Sequence, residues 1–413
     1  MNNIVQNNQY NDCNIPFEKG RIGFFGGTFD PIHNGHLMIV EEALAAADLD
    51  GVMIVPSGVP ALKWLGQVSM TAYRYGMALK ATKKKDKIRL SDIELCLSGP
   101  SYTLSTMKEL NKKLGDKGEV FLIGGSDILF DLPRWHRPEE LLQECKLLIG
   151  TRPGYTEKEV VDQAELLKSN YGARIQLFEM PPQNISSTEI RHSILTGDLA
   201  NIPTPKKVRK FIKKYDVYGD RVYLEKLRQE TLINLFHFQQ LMWHRMGFNR
   251  LLHSVSTAMT ALRMAARFGA DLDKTVVAAM LHDICKEQPA PELLQGVSKA
   301  DAWWTGFPAV VHGPEGAAYV QQQLNIDDPV IIDAISYHTI LRPNANIVEK
   351  IVFLSDKIEP GRKYMDLGPI RKAAESDLDK AVYLCVKAVN QVLFKSGQKP
   401  HPYSVKAERR LAF

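Results

Sequence analysis

The pattern of apolar residues changes near residue 218, and this change restricts the possible fold more than any other sequence feature. Before it, short β-prone runs alternate with amphipathic helical segments; after it, apolar residues recur only at helical spacing. Alternation of this kind is typical of βαβ units around a parallel sheet, whereas helical spacing alone indicates a bundle. The sequence therefore predicts an α/β, Rossmann-like domain followed by an all-α domain.

A chain of 413 residues is long enough for two hydrophobic cores, and we place the boundary between residues 219 and 220. Residues 1–20 are rich in Asn and Gln without an apolar core, so we expect a disordered lead-in and not a signal peptide. The two domains then span residues 21–219 and 220–413. The predicted strands are Ile22–Phe25, Val52–Pro56, Ile88–Leu95, Val120–Ile123, Leu147–Gly150 and Ile175–Phe178. The predicted helices include His36–Ala47, Thr103–Leu114, Leu251–Phe268 and Thr275–Ile284.

Composition restricts the setting and the partners. Apolar runs are too short to cross a bilayer, so we expect no membrane association. Five scattered cysteines without a CxxC pair are typical of reduced thiols, which predicts a cytoplasmic protein. A net charge of +5 suits anionic nucleotides, but without a concentrated basic stripe it predicts no specific nucleic-acid binding. A steep salt dependence of RNA binding would contradict that view. A homo-oligomer stays open.

The first predicted strand runs directly into Gly26-Gly27-Thr28-Phe29-Asp30-Pro31-Ile32-His33-Asn34-Gly35-His36, where a helix begins. Gly26 and Gly27 let backbone N–H groups approach a phosphate, and the positive end of the helix points to the same place. His33 and His36 stand three residues apart, so both imidazoles can face one anion. Because α/β proteins bind ligands at the tips of their strands, we predict an ATP phosphate site here. The alternative is a plain glycine turn with two solvent histidines.

A second segment, Ile185-Ser186-Ser187-Thr188-Glu189-Ile190-Arg191, follows the last predicted strand. Ser187 or Thr188 can cap a helix and expose its N–H groups, and Arg191, one turn later, can reach the same anion. The segment also fits an ordinary capping box begun by Ser186, and both interpretations can hold together.

These two motifs resemble those of the HxGH nucleotidylyltransferase superfamily. Further segments between residues 21 and 218 resemble bacterial nicotinate-nucleotide adenylyltransferases. They are Pro56 with Lys63, Asp92-Ile93-Glu94, Gly99-Pro100-Ser101-Tyr102-Thr103, Gly124-Gly125-Ser126-Asp127, Leu132-Pro133-Arg134-Trp135-His136 and Arg152-Pro153-Gly154-Tyr155. The resemblance implies adenylyl transfer from ATP to nicotinate mononucleotide, giving deamido-NAD and pyrophosphate. Another phosphate acceptor, such as phosphopantetheine, is the alternative.

The same resemblance implies the site residues. ATP would be bound by Gly26, Gly27, Thr28, Phe29, His33, His36, Gly124, Asp127, Ile185, Ser187, Thr188 and Arg191. Nicotinate mononucleotide would contact Tyr102, Thr103, Trp135 and Arg152. The attacking phosphate is already an anion, so catalysis would consist of positioning and charge stabilisation, with magnesium accompanying ATP. The catalytic residues would be His33, His36, Lys63 and Arg191.

The second half carries an ordered series of residue types that bind metals: His253, His282, Asp283, His312, His338 and Asp356. Each of them ends or interrupts an apolar helical segment. Burying so many ionisable groups is costly unless they are paired or bind a metal. Imidazole and carboxylate ligands suit iron, manganese or zinc. A lone histidine on such a face is more often a satisfied core residue, but the ordered series is far more specific.

This series resembles the HD superfamily of metal-dependent phosphohydrolases, and residues 245–390 resemble bacterial symmetrical diadenosine tetraphosphatases of HD type. The resemblance implies that iron, with manganese or zinc as alternatives, is bound by His253, His282, Asp283 and Asp356, with Asp283 also catalytic. A second metal or the substrate phosphates would contact His312, His338, Lys286 and Arg362. The implied reaction is hydrolysis of dinucleoside polyphosphates, here diadenosine tetraphosphate to two ADP. The alternatives are a non-catalytic nucleotide-sensing or oligomerising module, or a hydrolase of another nucleotide.

Overall fold

A computed structural model of the chain describes residues 13–61, 63–151, 155–182, 185–298, 302–363 and 365–412. The chain divides into two units between Gly219 and Asp220, close to the point where the apolar pattern changes. Within the described residues, the first unit is α/β and the second is helical. The predicted fold class is therefore confirmed.

The first unit is built on parallel strands. These are β1 (Gly20–Gly27), β2 (Gly51–Pro56), β3 (Val59–Pro60), β4 (Ile88–Leu90), β5 (Pro100–Ser101), β6 (Gly118–Gly125), β7 (Lys146–Gly150) and β8 (Ile175–Phe178). The main sheet has the order β4-β2-β1-β6-β7-β8, and β3 pairs with β5 in a small second sheet. Every residue of β2 is buried, as expected for a parallel strand covered on both faces.

Helices pack on both faces of the main sheet. They are α1 (Asn34–Ala46), α2 (Thr71–Thr82), α3 (Ile93–Cys96), α4 (Thr103–Leu114), α5 (Asp127–Asp131), α6 (Pro138–Glu144), α7 (Glu157–Tyr171), α8 (Ser187–Leu195) and α9 (Lys206–Tyr215). One buried cluster of the core joins residues of β1, β2, β6 and β7 with residues of α4, α6 and α7.

The strand order determines where a ligand can bind. From β1 the chain moves outward to β2 and β4, and then returns to β6 on the other side of β1. The loops that leave β1 and β6 therefore diverge, and such a switch point leaves a crevice at the carboxyl ends of the strands. β1 ends at Gly27 and β6 ends at Gly125, so both glycine motifs lie at this edge.

Two predictions about the strands and the N-terminal segment of the first unit differ from the structure. The predicted strand Ile88–Leu95 ends at Leu90, because the Ser91 hydroxyl accepts a hydrogen bond from the Ile93 N–H and the chain turns into α3. Residues 13–20 are not a disordered lead-in, because Cys13, Ile15 and Phe17 pack against the core and Gly20 begins β1. Residues 1–12 lie outside the described residues.

The second unit contains α10 (Arg221–Leu224), α11 (Gln229–Trp243), α12 (Phe248–Phe268), α13 (Leu272–Leu281), α14 (His312–Leu324), α15 (Pro329–Tyr337), α16 (Ile347–Ile358), α17 (Gly368–Ala373), α18 (Leu378–Lys395) and α19 (Pro402–Leu411). The long helix α12 packs against α13 and α16. The predicted helix Thr275–Ile284 begins earlier and ends at Leu281, because Asp271 caps its start and His282 terminates it.

Among the described residues, no helix is both long and apolar enough to cross a membrane. The five cysteines are free thiols in this structure.

Candidate functional sites

His33 and His36 cap the start of α1 reciprocally. The His33 Nδ1 accepts a hydrogen bond from the His36 backbone N–H at 3.3 Å, and the His36 Nδ1 accepts one from the His33 N–H at 3.2 Å. The two rings stack with their centroids 3.6 Å apart. Because each Nδ1 is an acceptor, each neutral ring carries its proton on Nε2, the atom that can donate to an anion. The pair thus adds two donor groups to the positive end of a helix.

The glycine loop before these histidines is closely packed. A Cβ atom on Gly26 would come within 2.7 Å of the Phe24 ring, and one on Gly27 would come within 3.0 Å of the Phe29 ring. Phe29 has a φ of 49° and meets the His36 ring edge-on, with the centroids 5.1 Å apart. The side chain of Phe29 therefore orients a histidine and also fills the space over Gly27.

Arg191 and its neighbours lie against this loop, although more than 150 residues separate the two segments in sequence. The Arg191 Nη1 donates to the Asp30 carbonyl at 2.9 Å, and the Ser187 hydroxyl donates to the Pro31 carbonyl at 3.2 Å. The Arg191 Nη2 also donates to the Thr188 hydroxyl at 3.1 Å. The structure thus brings the two predicted ATP motifs together.

Ser186 caps α8, since its hydroxyl accepts a hydrogen bond from the Glu189 N–H at 3.1 Å. The prediction that Ser187 or Thr188 provides this cap is wrong, because the hydroxyls of both residues bond elsewhere. Ile185, which precedes the cap, lies close to the glycine of the HxGH motif.

The residues expected to contact nicotinate mononucleotide lie on other loops of the first unit. Tyr102 is exposed and stacks on the His136 ring, with the centroids 4.5 Å apart. Thr103 begins α4, and Trp135 is half-buried after the turn at residues 132–134. The sequence analysis did not select His136, although it directly follows Trp135 in the segment Leu132–His136.

The other predicted residues of this unit are more dispersed. Gly124 lies in β6, and Asp127 begins α5 just beyond the end of that strand. Lys63 is exposed in the segment that follows β3. Arg152 lies outside the described residues. The sequence reasoning also missed Arg74, a fully buried cation of α2 that bonds the carbonyl oxygen of Thr28 at 3.0 Å.

The candidate site of the second unit gathers residues from five segments. Two overlapping groups have ligand atoms within 4.8 Å of one another, and they are His253, His282, Asp356 and His282, Asp283, His338. The His312 Nε2 is 3.3 Å from an Asp283 oxygen and 3.2 Å from the His338 Nε2. All six members of the predicted series therefore lie in one cluster.

Backbone carbonyls orient two of these imidazoles. The His282 Nδ1 bonds the Ala279 carbonyl at 2.8 Å, and the His338 Nδ1 bonds the Ile335 carbonyl at 2.7 Å. A carbonyl only accepts, so both Nδ1 atoms are protonated, and in the neutral form of each ring the Nε2 atom carries the lone pair. The His282 Nε2 is buried, and its neighbours are an Asp283 oxygen at 3.5 Å and an Asp356 oxygen at 3.7 Å. A metal ion satisfies a lone pair of this kind, so the residues present fit a bound metal.

Glu359 orients a third imidazole. Its carboxylate lies 3.2 Å from the His253 Nδ1, while the His253 Nε2 lies 3.0 Å from Asp356. Burial by itself would raise the pKa of Glu359, but hydrogen bonds from His253 and from the Gly361 N–H lower it. The sequence reasoning missed Glu359, although it stands three residues after Asp356, one helical turn away.

The electrostatics of the cluster favour a cation. Burial alone would raise the pKa values of Asp283 and Asp356, but the surrounding imidazoles and cations hold both well below their usual range. Burial opposes protonation of His282, yet the two carboxylates raise its pKa to about 9. Burial lowers the pKa of His338 to about 4 and also lowers that of His312. Metal binding would displace the His282 proton, as is general for histidine ligands.

Lys286 and Arg362, predicted to neutralise phosphate charge, both lie at the cluster. The Lys286 Nζ is 3.3 Å from the His312 Nδ1. The Arg362 Nη2 is 3.0 Å from the His253 Nε2 and also bonds the Asp356 carboxylate. Both side chains therefore lie beside the cluster, and their contact with phosphate stays a prediction.

Two further cations were missed in the sequence. The Arg250 Nη1 donates to Asp283 at 2.8 Å, and the Lys357 Nζ pairs with Asp356. Both belong to segments that carry the resemblance to the HD superfamily, since Arg250 precedes His253 by three residues and Lys357 directly follows Asp356, but neither was given a role. Four cations around one carboxylate–imidazole cluster suit a multiply charged phosphate substrate.

The comparisons with known proteins agree with the two domain types. The cytidylyltransferase-like family profile matches residues 24–193, and the HD domain profile matches residues 250–361. The sheet and its HxGH loop thus define a nucleotidyltransferase of the cytidylyltransferase-like class, joined to an HD domain. An HD domain implies a divalent metal, for which the clustered ligands are candidates.

Relatives in two bacteria place the first unit more closely. A probable nicotinate-nucleotide adenylyltransferase of Thermoanaerobacter sp. (strain X514) is 35% identical over 198 residues, which cover 48% of this chain and 94% of the relative. Another, of Clostridium novyi (strain NT), is 36% identical over 196 residues, which cover 48% and 98%. Through its N-terminal half, the chain belongs to the nicotinate-nucleotide adenylyltransferase family.

The second unit is similar to a solved structure from Clostridium acetobutylicum, described as a predicted HD superfamily hydrolase involved in NAD metabolism. That protein is 28% identical, and the match covers 42% of this chain and 94% of that chain with a TM-score of 0.40. These comparisons do not bear on the resemblance to diadenosine tetraphosphatases, which stays a prediction.

Proposed function

We propose that residues 21–219 transfer the adenylyl group of ATP to the phosphate of nicotinate mononucleotide, giving deamido-NAD and pyrophosphate. The observation that carries this proposal is the stacked pair of His33 and His36, which caps α1 at the switch point of the sheet. The relatives, which are probable nicotinate-nucleotide adenylyltransferases, support the choice of acceptor.

The chemistry needs no side-chain nucleophile, because the attacking phosphate is already an anion. Donors on the Nε2 atoms of His33 and His36, with the N-terminus of α1, bind the ATP phosphates and stabilise the charge of the leaving pyrophosphate. Arg191 adds a positive charge at the same loop, where the Asp30 carbonyl holds it. Magnesium would arrive with ATP, and Lys63 would add charge to the exposed side of the site. Catalysis is then positioning and electrostatic stabilisation.

The acceptor would bind beside Tyr102, whose ring stacks on His136. An exposed aromatic pair offers a face on which a pyridine ring can stack. Thr103, at the start of α4, and Trp135 add a hydroxyl donor and a further ring for the nicotinate group.

Pyrophosphate release from ATP with nicotinate mononucleotide, nicotinamide mononucleotide or phosphopantetheine tests this assignment on the full chain. His36→Ala should lower kcat by about 10²- to 10³-fold, since it removes a donor to developing charge. His192→Ala, at an exposed histidine of α8, is the control and should retain full activity. Turnover of phosphopantetheine but not of the pyridine mononucleotides would refute the proposed acceptor.

We propose that residues 220–413 are a metal-dependent phosphohydrolase that cleaves diadenosine tetraphosphate to two ADP. Iron, or manganese or zinc, would be held by His253, His282, Asp283 and Asp356, with His312 and His338 beside them. Such a metal lowers the pKa of a bound water and supplies hydroxide near neutral pH. Lys286 and Arg362 would neutralise the phosphates, helped by Arg250 and Lys357. The observation that carries this proposal is the convergence of the buried His282 Nε2 with the Asp283 and Asp356 carboxylates, at 3.5 and 3.7 Å, in one group of metal-ligand types.

Metal analysis and product analysis together test this half. Hydrolysis of diadenosine tetraphosphate should give ADP alone, whereas release of ATP with AMP would exclude the symmetrical reaction. Asp283→Ala should abolish both metal binding and hydrolysis. A chain that binds metal and nucleotide without any hydrolysis would instead be the sensing or oligomerising module.

A further inference from the structure

Two buried residues of opposite charge hold one backbone position in the first unit. Arg74 in α2 is 0% exposed, and Glu94 in α3 is 6% exposed. The Arg74 Nη2 donates to the Gly58 carbonyl at 3.1 Å. The Gly58 N–H donates to the Ser101 hydroxyl at 2.9 Å and also hydrogen-bonds the Glu94 carboxylate. Both backbone polar groups of Gly58 are therefore bonded, one to each side of a buried charge pair.

The Arg74 guanidinium spans three segments of the carboxyl edge. It bonds the glycine loop after β1, the turn after β2 and the entry to α2. Its acceptors are the carbonyl oxygens of Thr28 (3.0 Å), Gly58 (3.1 Å) and Ser69 (2.9 Å) and the hydroxyls of Ser57 (3.2 Å) and Thr71 (3.0 Å). The Thr28 bond reaches the predicted ATP loop, and the Gly58 bond reaches a different loop. The rigid, planar Arg74 guanidinium thus sets the distance between these two loops.

Glu94 extends this framework to the predicted acceptor side. The Thr106 hydroxyl donates to Glu94 at 3.1 Å, and the Ser101 hydroxyl also hydrogen-bonds its carboxylate. Ser101 and Thr106 lie on either side of Tyr102, the residue that we expect beside the pyridine ring. The pairing of β3 with β5, which joins Pro60 to Ser101, continues from Gly58. Glu94 therefore holds the segment that carries Tyr102 at both ends.

A stabilising role in the core alone would explain the burial of these two charged residues but not the choice of their partners. Replacing a buried ion pair by apolar residues is often neutral or stabilising, so stability is a weak reason to keep one. Here the hydrogen bonds of Arg74 and Glu94 described above end on the two loops or on the helix starts that flank them. The partners therefore indicate a role in setting loop geometry.

We propose that Arg74 and Glu94 are positioning residues for adenylyl transfer, which together fix the ATP loop at Thr28 relative to the acceptor segment at Tyr102. This proposal rests on the proposed function of the first unit. Neither side chain needs to touch a substrate, because both act through the backbone and hydroxyls of the loops. In-line attack requires the acceptor phosphate and the α-phosphorus to be aligned, and a misplacement of 1 Å can cost about 10²-fold in rate.

Steady-state kinetics of the full chain with ATP and nicotinate mononucleotide test the proposal through Arg74→Lys. Lysine keeps the charge but cannot reach all of the acceptors, so kcat should fall by about 10²-fold. Each loop still binds its own substrate, so both KM values should stay within about threefold. The control is Leu110→Ala, a buried core truncation in α4, which should lower the Tm but leave kcat unchanged. All rates are normalised to the folded fraction measured by circular dichroism.

Two further variants cover the case in which Arg74→Lys does not fold. Ser101→Ala removes one hydroxyl that ties Gly58 to Glu94, and it should lower kcat by about tenfold with little change in Tm. Glu94→Gln keeps the size and hydrogen-bonding capacity of the side chain, so it should retain much more activity than Glu94→Ala. Folded variants that keep the wild-type kcat would overturn the positioning role. A wild-type chain inactive with this substrate pair would instead refute the proposed function, and the two failures are therefore distinguishable.

Discussion

Replacing Glu359 by Gln tests the role of the carboxylate that orients a histidine of the candidate metal site. The substitution keeps the volume of the side chain but removes the charge that faces the His253 Nδ1 at 3.2 Å. Without that charge, the His253 ring is less basic. Its Nε2, which lies 3.0 Å from Asp356 in the wild type, is then less firmly directed toward that carboxylate. Loss of a partner of this kind typically weakens metal binding by about 10- to 100-fold, which is about 1.4 to 2.7 kcal/mol.

The structure places the expected effect in the upper part of that range. Glu359 is only 2% exposed, so water cannot easily replace the lost interaction. Its pKa is lowered although burial opposes this, which means that the His253 and Gly361 bonds outweigh the cost of desolvation. The metal affinity of Glu359→Asp should lie between those of the wild type and Glu359→Gln, because aspartate keeps the charge but is too short to contact the His253 Nδ1 as closely.

The assay is competition between the protein and a chelator for Mn²⁺, followed by hydrolysis of diadenosine tetraphosphate at saturating metal. The control is Glu315→Gln, a buried carboxylate of α14 that accepts a hydrogen bond from the Ala290 N–H. The control should bind metal as the wild type does. If Glu359→Gln binds Mn²⁺ within twofold of the wild type, or if the control weakens binding equally, the reasoning is refuted.

Two other predictions concern coupling and pH. If ATP can replace the mononucleotide as acceptor, its terminal phosphate attacks the α-phosphorus of a second ATP and releases pyrophosphate. His282→Ala incubated with ATP alone should then accumulate diadenosine tetraphosphate, whereas the wild type should not. If the variant accumulates no more of it than the wild type, the hypothesis is refuted. Burial raises the pKa of Glu94 to about 7 from an ordinary 4.5. The protonated side chain therefore contributes fully to the free energy of unfolding below pH 4.5, and this contribution is lost between pH 4.5 and 7. The unfolding free energy of the wild type should fall by about 3 kcal/mol across this window relative to Glu94→Gln, and parallel urea-denaturation profiles from pH 5 to 8 would contradict it.

Local sequence patterns were sufficient for the outline of this protein. Apolar periodicity acts between neighbouring residues, so it predicted the two fold classes, the helix Thr103–Leu114 and five of the six strands within a few residues. The HxGH motif and the ordered histidine series were likewise visible, because chemical residue types at characteristic spacing need no coordinates. These patterns also carried the resemblance to the adenylyltransferase family that the comparisons support.

Contacts between segments that are distant in sequence determined where some elements end and which charged side chains are buried, which the local patterns did not predict. The Ser91 hydroxyl donates to the Asn14 carbonyl, 77 residues away, where the strand ends that β-propensity would have continued to Leu95, and the Ser187 hydroxyl is drawn to the Pro31 carbonyl instead of the helix cap. Arg74 and Glu359 had no motif, because burial of a charge depends on partners that lie up to about a hundred residues away. Propensity and spacing are local quantities, whereas desolvation and hydrogen-bond satisfaction depend on everything that packs around a group. Only the tertiary structure can therefore show which charged side chains are held inside and what they hold in place.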